Sequence, residues 1–173
     1  MEELASLEEV AGRCRLRFVR HLHHPPEKVW RALTEPEHLA AWFPCDIEGE
    51  RQPGASLKFV FRNNEGPDIG GEMVRYEPYE LLELTWGADV LRFELATEGD
   101  GCVLTFSDTF DELGKAARDA AGWEICLQLF GRDLRGEATG GGPNPGPTPD
   151  WQSYRDRYVE RFGPEAGTIG PPA

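Results

Sequence analysis

Positive charge is scarce in this sequence: 18 Lys and Arg stand against 31 Asp and Glu among 173 residues, a net charge of −13. Affinity for nucleic acid comes mainly from cationic side chains that replace counterions on the phosphates, so no nucleic-acid partner is expected. Long apolar runs are missing as well. No stretch approaches the ~18–20 apolar residues of a membrane span, and the acidic opening MEELASLEEVAG lacks the basic segment of a secretory signal. The cytoplasm is the expected location. Cysteine is sparse: Cys14, Cys45, Cys102 and Cys126 are widely separated and form no Cys-x-x-Cys pair. Three of them lie in apolar stretches, where a thiol behaves as a small hydrophobe, so no disulfide framework is predicted.

Signatures of catalysis are also absent. There is no Gly-x-Ser-x-Gly elbow, no phosphate loop, no Gly-x-Gly-x-x-Gly and no His-Glu-x-x-His. No cofactor is predicted. His21, His23, His24 and His38 are the only histidines, and no Cys or carboxylate stands near them at a metal-ligand spacing, so no metal site is predicted either.

What is present is a clear succession of periodicities. Residues 14–22 alternate, with Leu16, Phe18, Arg20 and Leu22 on one face, and read as a strand. Pro25-Pro26 opens a short helix through Val29, Trp30 and Leu33, and Glu35-Pro36 breaks it. A second short helix follows through Leu39, Trp42 and Phe43, to Pro44. Six strands are then predicted at 46–51, 56–62, 69–77, 81–87, 89–97 and 102–110, separated by turn signals such as Gln52-Pro53-Gly54, Asn63-Asn64-Glu65-Gly66 and Glu98-Gly99-Asp100-Gly101. Leu104, Phe106, Asp108 and Phe110 fall in phase on the last of these. One apolar and one polar face suit an antiparallel sheet covered on one side.

Residues 115–136 turn helical, with Ala116, Ala120, Trp123, Leu127, Phe130 and Leu134 in one stripe. At about 1.5 Å per residue such a helix is roughly 30 Å long and can cover the sheet. The Gly- and Pro-rich stretch that follows cannot bury a core. Thr148-Pro149 then starts a last helix, whose Trp151, Tyr154, Tyr158 and Phe162 share a face that needs a docking partner.

The predicted division is therefore an N-terminal arm at 1–12, a single α+β domain at 13–137, a linker at 138–149, an aromatic helix at 150–163 and a disordered tail at 164–173. The fold class is the helix grip: a curved antiparallel sheet of about seven strands, two short helices after strand 1, and a long helix closed over it. A hollow lined by Trp and Phe is expected between sheet and helix.

Several segments resemble bacterial relatives of the C-terminal domain of the activator of Hsp90 ATPase, within the START-like (SRPBCC, Bet v 1-like) superfamily. They are HPPEKVWRALTEPEHLAAWF (24–43), Gly54, the run Gly71 to Pro78, Leu84-Thr85-Trp86, and the run Ala120 to Leu127. The linker with its Trp-x-x-Tyr-x-x-x-Tyr-x-x-x-Phe tail resembles an extension found in one bacterial branch. Gly54-Ala55 replaces the family's common Gly-Gly, and Leu81 stands where an Arg is common. The resemblance implies a hydrophobic cavity able to hold a small molecule; it does not fix the ligand.

Trp42, Phe59, Phe61, Trp86, Phe93, Trp123, Leu127 and Phe130 are the candidate lining. Arg20, Glu72 and Asp108 are polar residues in phase with apolar faces, either to orient a ligand or to pair with one another. The preferred function is a non-catalytic binding protein for a small hydrophobic or aromatic molecule. The alternatives are a cyclase- or dehydratase-like enzyme, with Arg20, Glu72, Tyr76 and Asp108 as acid–base candidates, and an interaction module that contacts a chaperone or dimerises through its last helix.

Overall fold

A computed structural model describes residues 3–62, 66–143 and 147–171. The predicted turn at Asn63, Asn64 and Glu65 and the linker centre at 144–146 lie outside the described residues. The described residues build an eight-stranded antiparallel sheet and four α-helices. The strands are β1 (Ser6–Val10), β2 (Arg13–Leu22), β3 (Cys45–Glu48), β4 (Ser56–Phe61), β5 (Ile69–Glu77), β6 (Leu81–Trp86), β7 (Asp89–Glu98) and β8 (Gly101–Phe110). The helices are α1 (Pro26–Thr34), α2 (Pro36–Trp42), α3 (Ala116–Leu134) and α4 (Pro149–Phe162). Spatial order is β1-β2-β8-β7-β6-β5-β4-β3, so the first hairpin closes onto the last strand of the meander.

Two residues that precede proline punctuate the helical segment. Glu35 and Phe43 both adopt extended backbone, at ψ 135° and 146°, because the following proline ring clashes with the helical conformation. Each helix stops there, and the chain turns at a sequence-determined place. In the sheet, alternation sends Leu16, Phe18 and Arg20 of β2 inward, and likewise Leu104, Phe106 and Asp108 of β8. Phe106 pairs with Phe18 on one side and Phe93 on the other, while Asp108 lies between Leu16 and Leu91.

The structure corrects three expectations. The N-terminal arm is not outside the fold: its residues 6–10 form β1, an eighth strand whose register Ser6↔Arg17 to Val10↔Arg13 is set by a turn with positive φ at Ala11 and Gly12. The tail is not disordered in its described part. Pro164–Gly167 form a 3₁₀ turn, Ala166 is buried, and the Ile169 amide donates to the Gly114 carbonyl at 3.1 Å. Composition alone misreads this segment, because small residues gain order from backbone bonds to a distant turn. The hollow expected between sheet and α3 is also filled by rings through its middle, and space remains only near the start of α3. Trp42 meets Phe130 at 5.1 Å between ring centroids, Phe93 stacks on Phe106 at 4.5 Å, and Phe106 meets Trp123 at 4.8 Å.

Helix α4 packs on α3 of its own chain, with Trp151 and Tyr158 buried. Thr148 caps it by accepting from the Trp151 amide at 3.2 Å. The aromatic face is thus covered within the chain.

Candidate ligand-binding cleft

The open space lies where α3 begins. A cleft of about 620 Å³ runs between the β5–β7 side of the sheet, the first half of α3 and the linker before α4. Its apolar wall includes Phe61, Ile69, Trp86, Trp123 and Trp151; the linker adds Pro143, Pro147 and Thr148. The rings of Trp86 and Trp123 are 5.7 Å apart. Gly122 also lines the cleft, and a Cβ placed there would meet nothing within 4 Å.

The polar end is built from three carboxyls and two cations. Oxygens of Asp89, Asp108 and Asp119 lie within 4.8 Å of one another. Lys115 Nζ sits 3.3 Å from Asp89 and 3.6 Å from Asp119, and Arg118 Nε donates to Asp119 at 2.9 Å. Asp108 is the most enclosed of the three, 1% exposed. Its Oδ2 accepts from Trp123 Nε1 at 2.9 Å, whereas its buried Oδ1 has no donor. Burial, reinforced by the charge of Asp89, raises the Asp108 carboxyl well above its ordinary value; the Trp123 hydrogen bond opposes this less strongly. Burial likewise raises Asp119, against the pull of Arg118 and Lys115. The Trp86 indole N–H is buried with only the weak thiol acceptor of Cys45 near it.

The sequence candidates therefore separate. Phe61, Trp86, Trp123 and Asp108 line the cleft. Trp42, Phe59, Phe93, Leu127 and Phe130 are core residues away from it. Glu72 is a correction: it is solvent-exposed, and Met73 takes the inward position. A register shift between Met73 and Arg75 resets the alternation, so Tyr76 returns to the apolar side and packs on Trp30 at 5.3 Å. Glu72 and Tyr76 thus do not share the face that strict alternation assigns them.

Arg20 belongs to a different buried assembly. Its Nη2 donates to Glu124 Oε2 at 2.8 Å, and Tyr158 donates its hydroxyl proton to Glu124 Oε1. The Ala5 amide then donates to the Tyr158 oxygen at 2.8 Å. This chain of bonds joins β2, α3, α4 and the residue before β1. Asp89, Lys115, Asp119 and Trp151 of the cleft escaped the sequence reading. The Lys115–Asp119 spacing of four is a visible helical pair, but nothing local links it to Asp89 at the start of β7.

No helix among the described residues is long and apolar enough to cross a membrane. No curated protein sequence matches the chain. Among solved structures, CalU16 from Micromonospora echinospora superposes with a TM-score of 0.71 and 21% identity over 98% of both chains. EF2215 from Enterococcus faecalis, a conserved protein of unknown function, gives 0.73 and 19% over 96% of this chain and 92% of its own. DynU16, a putative protein in the dynemicin biosynthetic locus, gives 0.64 and 22% over 75% of this chain and 51% of its own. Such identities establish a shared Bet v 1-like fold and nothing finer. A family model for activator of Hsp90 ATPase homolog 1-like protein matches residues 23–132, most of the sheet, both short helices and nearly all of α3, and the chain belongs to that family.

Proposed function

We propose that this protein binds a small molecule with an aromatic or apolar body in the cleft between α3, the β5–β7 side of the sheet and the linker to α4. The observation that carries this reading is the cleft's composition: tryptophan and phenylalanine side chains around about 620 Å³ of space, with the buried Asp108 and the partly buried Asp89, Lys115 and Asp119 at one end. Sites for small organic ligands have this build, a mostly apolar wall with a few converging polar atoms.

Gly122 offers a clean test. Leucine there projects into the cleft and also improves helix propensity, so the fold is retained. The neutral fluorescent probe N-phenyl-1-naphthylamine is expected to bind saturably with a stoichiometry of one, and Gly122→Leu to weaken it about tenfold or more. Equal binding by a folded Gly122→Leu protein would place the ligand elsewhere and overturn the reading.

A further inference from the structure

We propose that the polar end of the cleft is a site for an organic ammonium group, so that the ligand is an aromatic or apolar amine in its cationic form. This rests on the reading of the cleft as a small-molecule site and adds the charge and hydrogen-bonding character of what enters it.

At the carboxyl end of the cleft, the buried acceptor Asp108 Oδ1 has no hydrogen-bond partner. The group missing from this end is therefore a donor. Charge points the same way: three carboxyls share the end, and Lys115 and Arg118 bring two positive charges to them. One more positive charge would balance it. In the free protein burial, and then the charge of Asp89, favours a proton on Asp108 in that role. A bound ammonium would take over, donating N–H to Asp108 Oδ1 while the Asp108 proton leaves to solvent. Charge and protons balance in this exchange: one cation enters and up to one proton departs.

Two further features favour an organic cation over a bare metal ion. Lys115 Nζ already occupies the approach to both Asp89 and Asp119, so a divalent ion would have to displace it or lie against it. Trp86 and Trp123 also line the cleft, and aromatic rings attract desolvated ammonium groups. The net charge of −13 enriches cations near the protein.

The charged groups around Asp108 set the pH dependence: Asp89 from β7, and Lys115, Arg118 and Asp119 from the start of α3. Because the ammonium binds the ionised Asp108, its affinity must rise with pH until Asp108 is ionised in the free protein as well.

Calorimetric titrations with tryptamine, the neutral isostere indole-3-ethanol, and magnesium chloride alone test this. In two buffers of different ionisation enthalpy, tryptamine is expected to bind about tenfold or more tightly than indole-3-ethanol and to release protons. In Asp108→Asn the ratio between the two indoles should fall to near one; if that variant does not fold, proton release by the unaltered protein decides. Indole-3-ethanol binding as tightly as tryptamine, or tryptamine binding without proton release, overturns the ammonium site and leaves the cleft reading standing. Magnesium binding that excludes tryptamine overturns it in favour of a metal. Binding of neither indole nor the naphthylamine probe overturns both.

Discussion

Burial of Asp108 between Leu16 and Leu91 works against the ionised form of its carboxyl, and the neighbouring Asp89 adds to the effect. The folded protein therefore keeps this proton over a pH range in which the unfolded chain has lost it. Below the ordinary aspartate value of about 3.9 both states are protonated and the group's contribution to stability is complete. As pH rises through the folded value the contribution is lost, by about 1.4 kcal/mol per pH unit inside the window. Asp108→Asn, neutral at every pH, lacks this loss. Urea titrations upward from pH 4 should show the wild type falling relative to the variant until Asp108 ionises in the folded protein. A constant difference across that range would mean that Asp108 ionises normally in the folded state.

The helices and strands are held to one another by a second buried polar group, Glu124. It takes Arg20 from β2 and Tyr158 from α4, both almost fully enclosed, while Arg161 donates to the Ala5 carbonyl at 2.8 Å beside them. A buried ion pair is weak evidence for net stabilisation, yet removing one partner strands the other charge. Glu124→Gln is expected to cost about 3 kcal/mol or more for that reason. Tyr158→Phe removes a hydroxyl and leaves the Ala5 amide and one Glu124 oxygen short of a partner, a loss of about 1–3 kcal/mol. The order of the two midpoints in urea is the readout, and a Tyr158→Phe protein less stable than Glu124→Gln would refute the dominance of the ion pair. Because α4 and the linker also supply Trp151, Pro143 and Pro147 to the cleft, this network holds one wall of the site in place.

Across the whole molecule, the cysteines report on integrity. Burial pushes the thiols of Cys45 and Cys126 up to about 12, and raises Cys102 and Cys14 as well. Only Cys14 is partly exposed, and all four are free thiols. At neutral pH iodoacetamide should modify Cys14 first and reach the other three only as the protein unfolds globally, since thiolate and access are both lacking. Mass spectrometry of labelled peptides against denaturant checks this. Early labelling of Cys126, which borders the cleft, would mean that the α4 wall opens well below the global transition.

The sequence by itself determined the elements and their class. Period-two alternation in 14–22 and 102–110, proline after Glu35 and Phe43, and the Thr148 cap are local rules, satisfied within a few residues of where they act. The family resemblance rests on the segments at 24–43, Gly54, 71–78, 84–86 and 120–127. The local rules fell short at β1 and at Pro164–Gly167, whose order comes from partners far along the chain, and at the bulge after Met73, which shifts phase without a local mark. Only the tertiary structure decided where space remained. Whether Trp42, Phe93, Phe106 and Phe130 leave a hollow depends on how their volumes interlock, which periodicity does not encode. The same holds for the convergence of Asp89, Asp108 and Asp119 and for the pairing of Arg20 with Glu124, 104 positions away. The energies of buried charges depend on distances of a few ångströms, and the fold alone sets those distances.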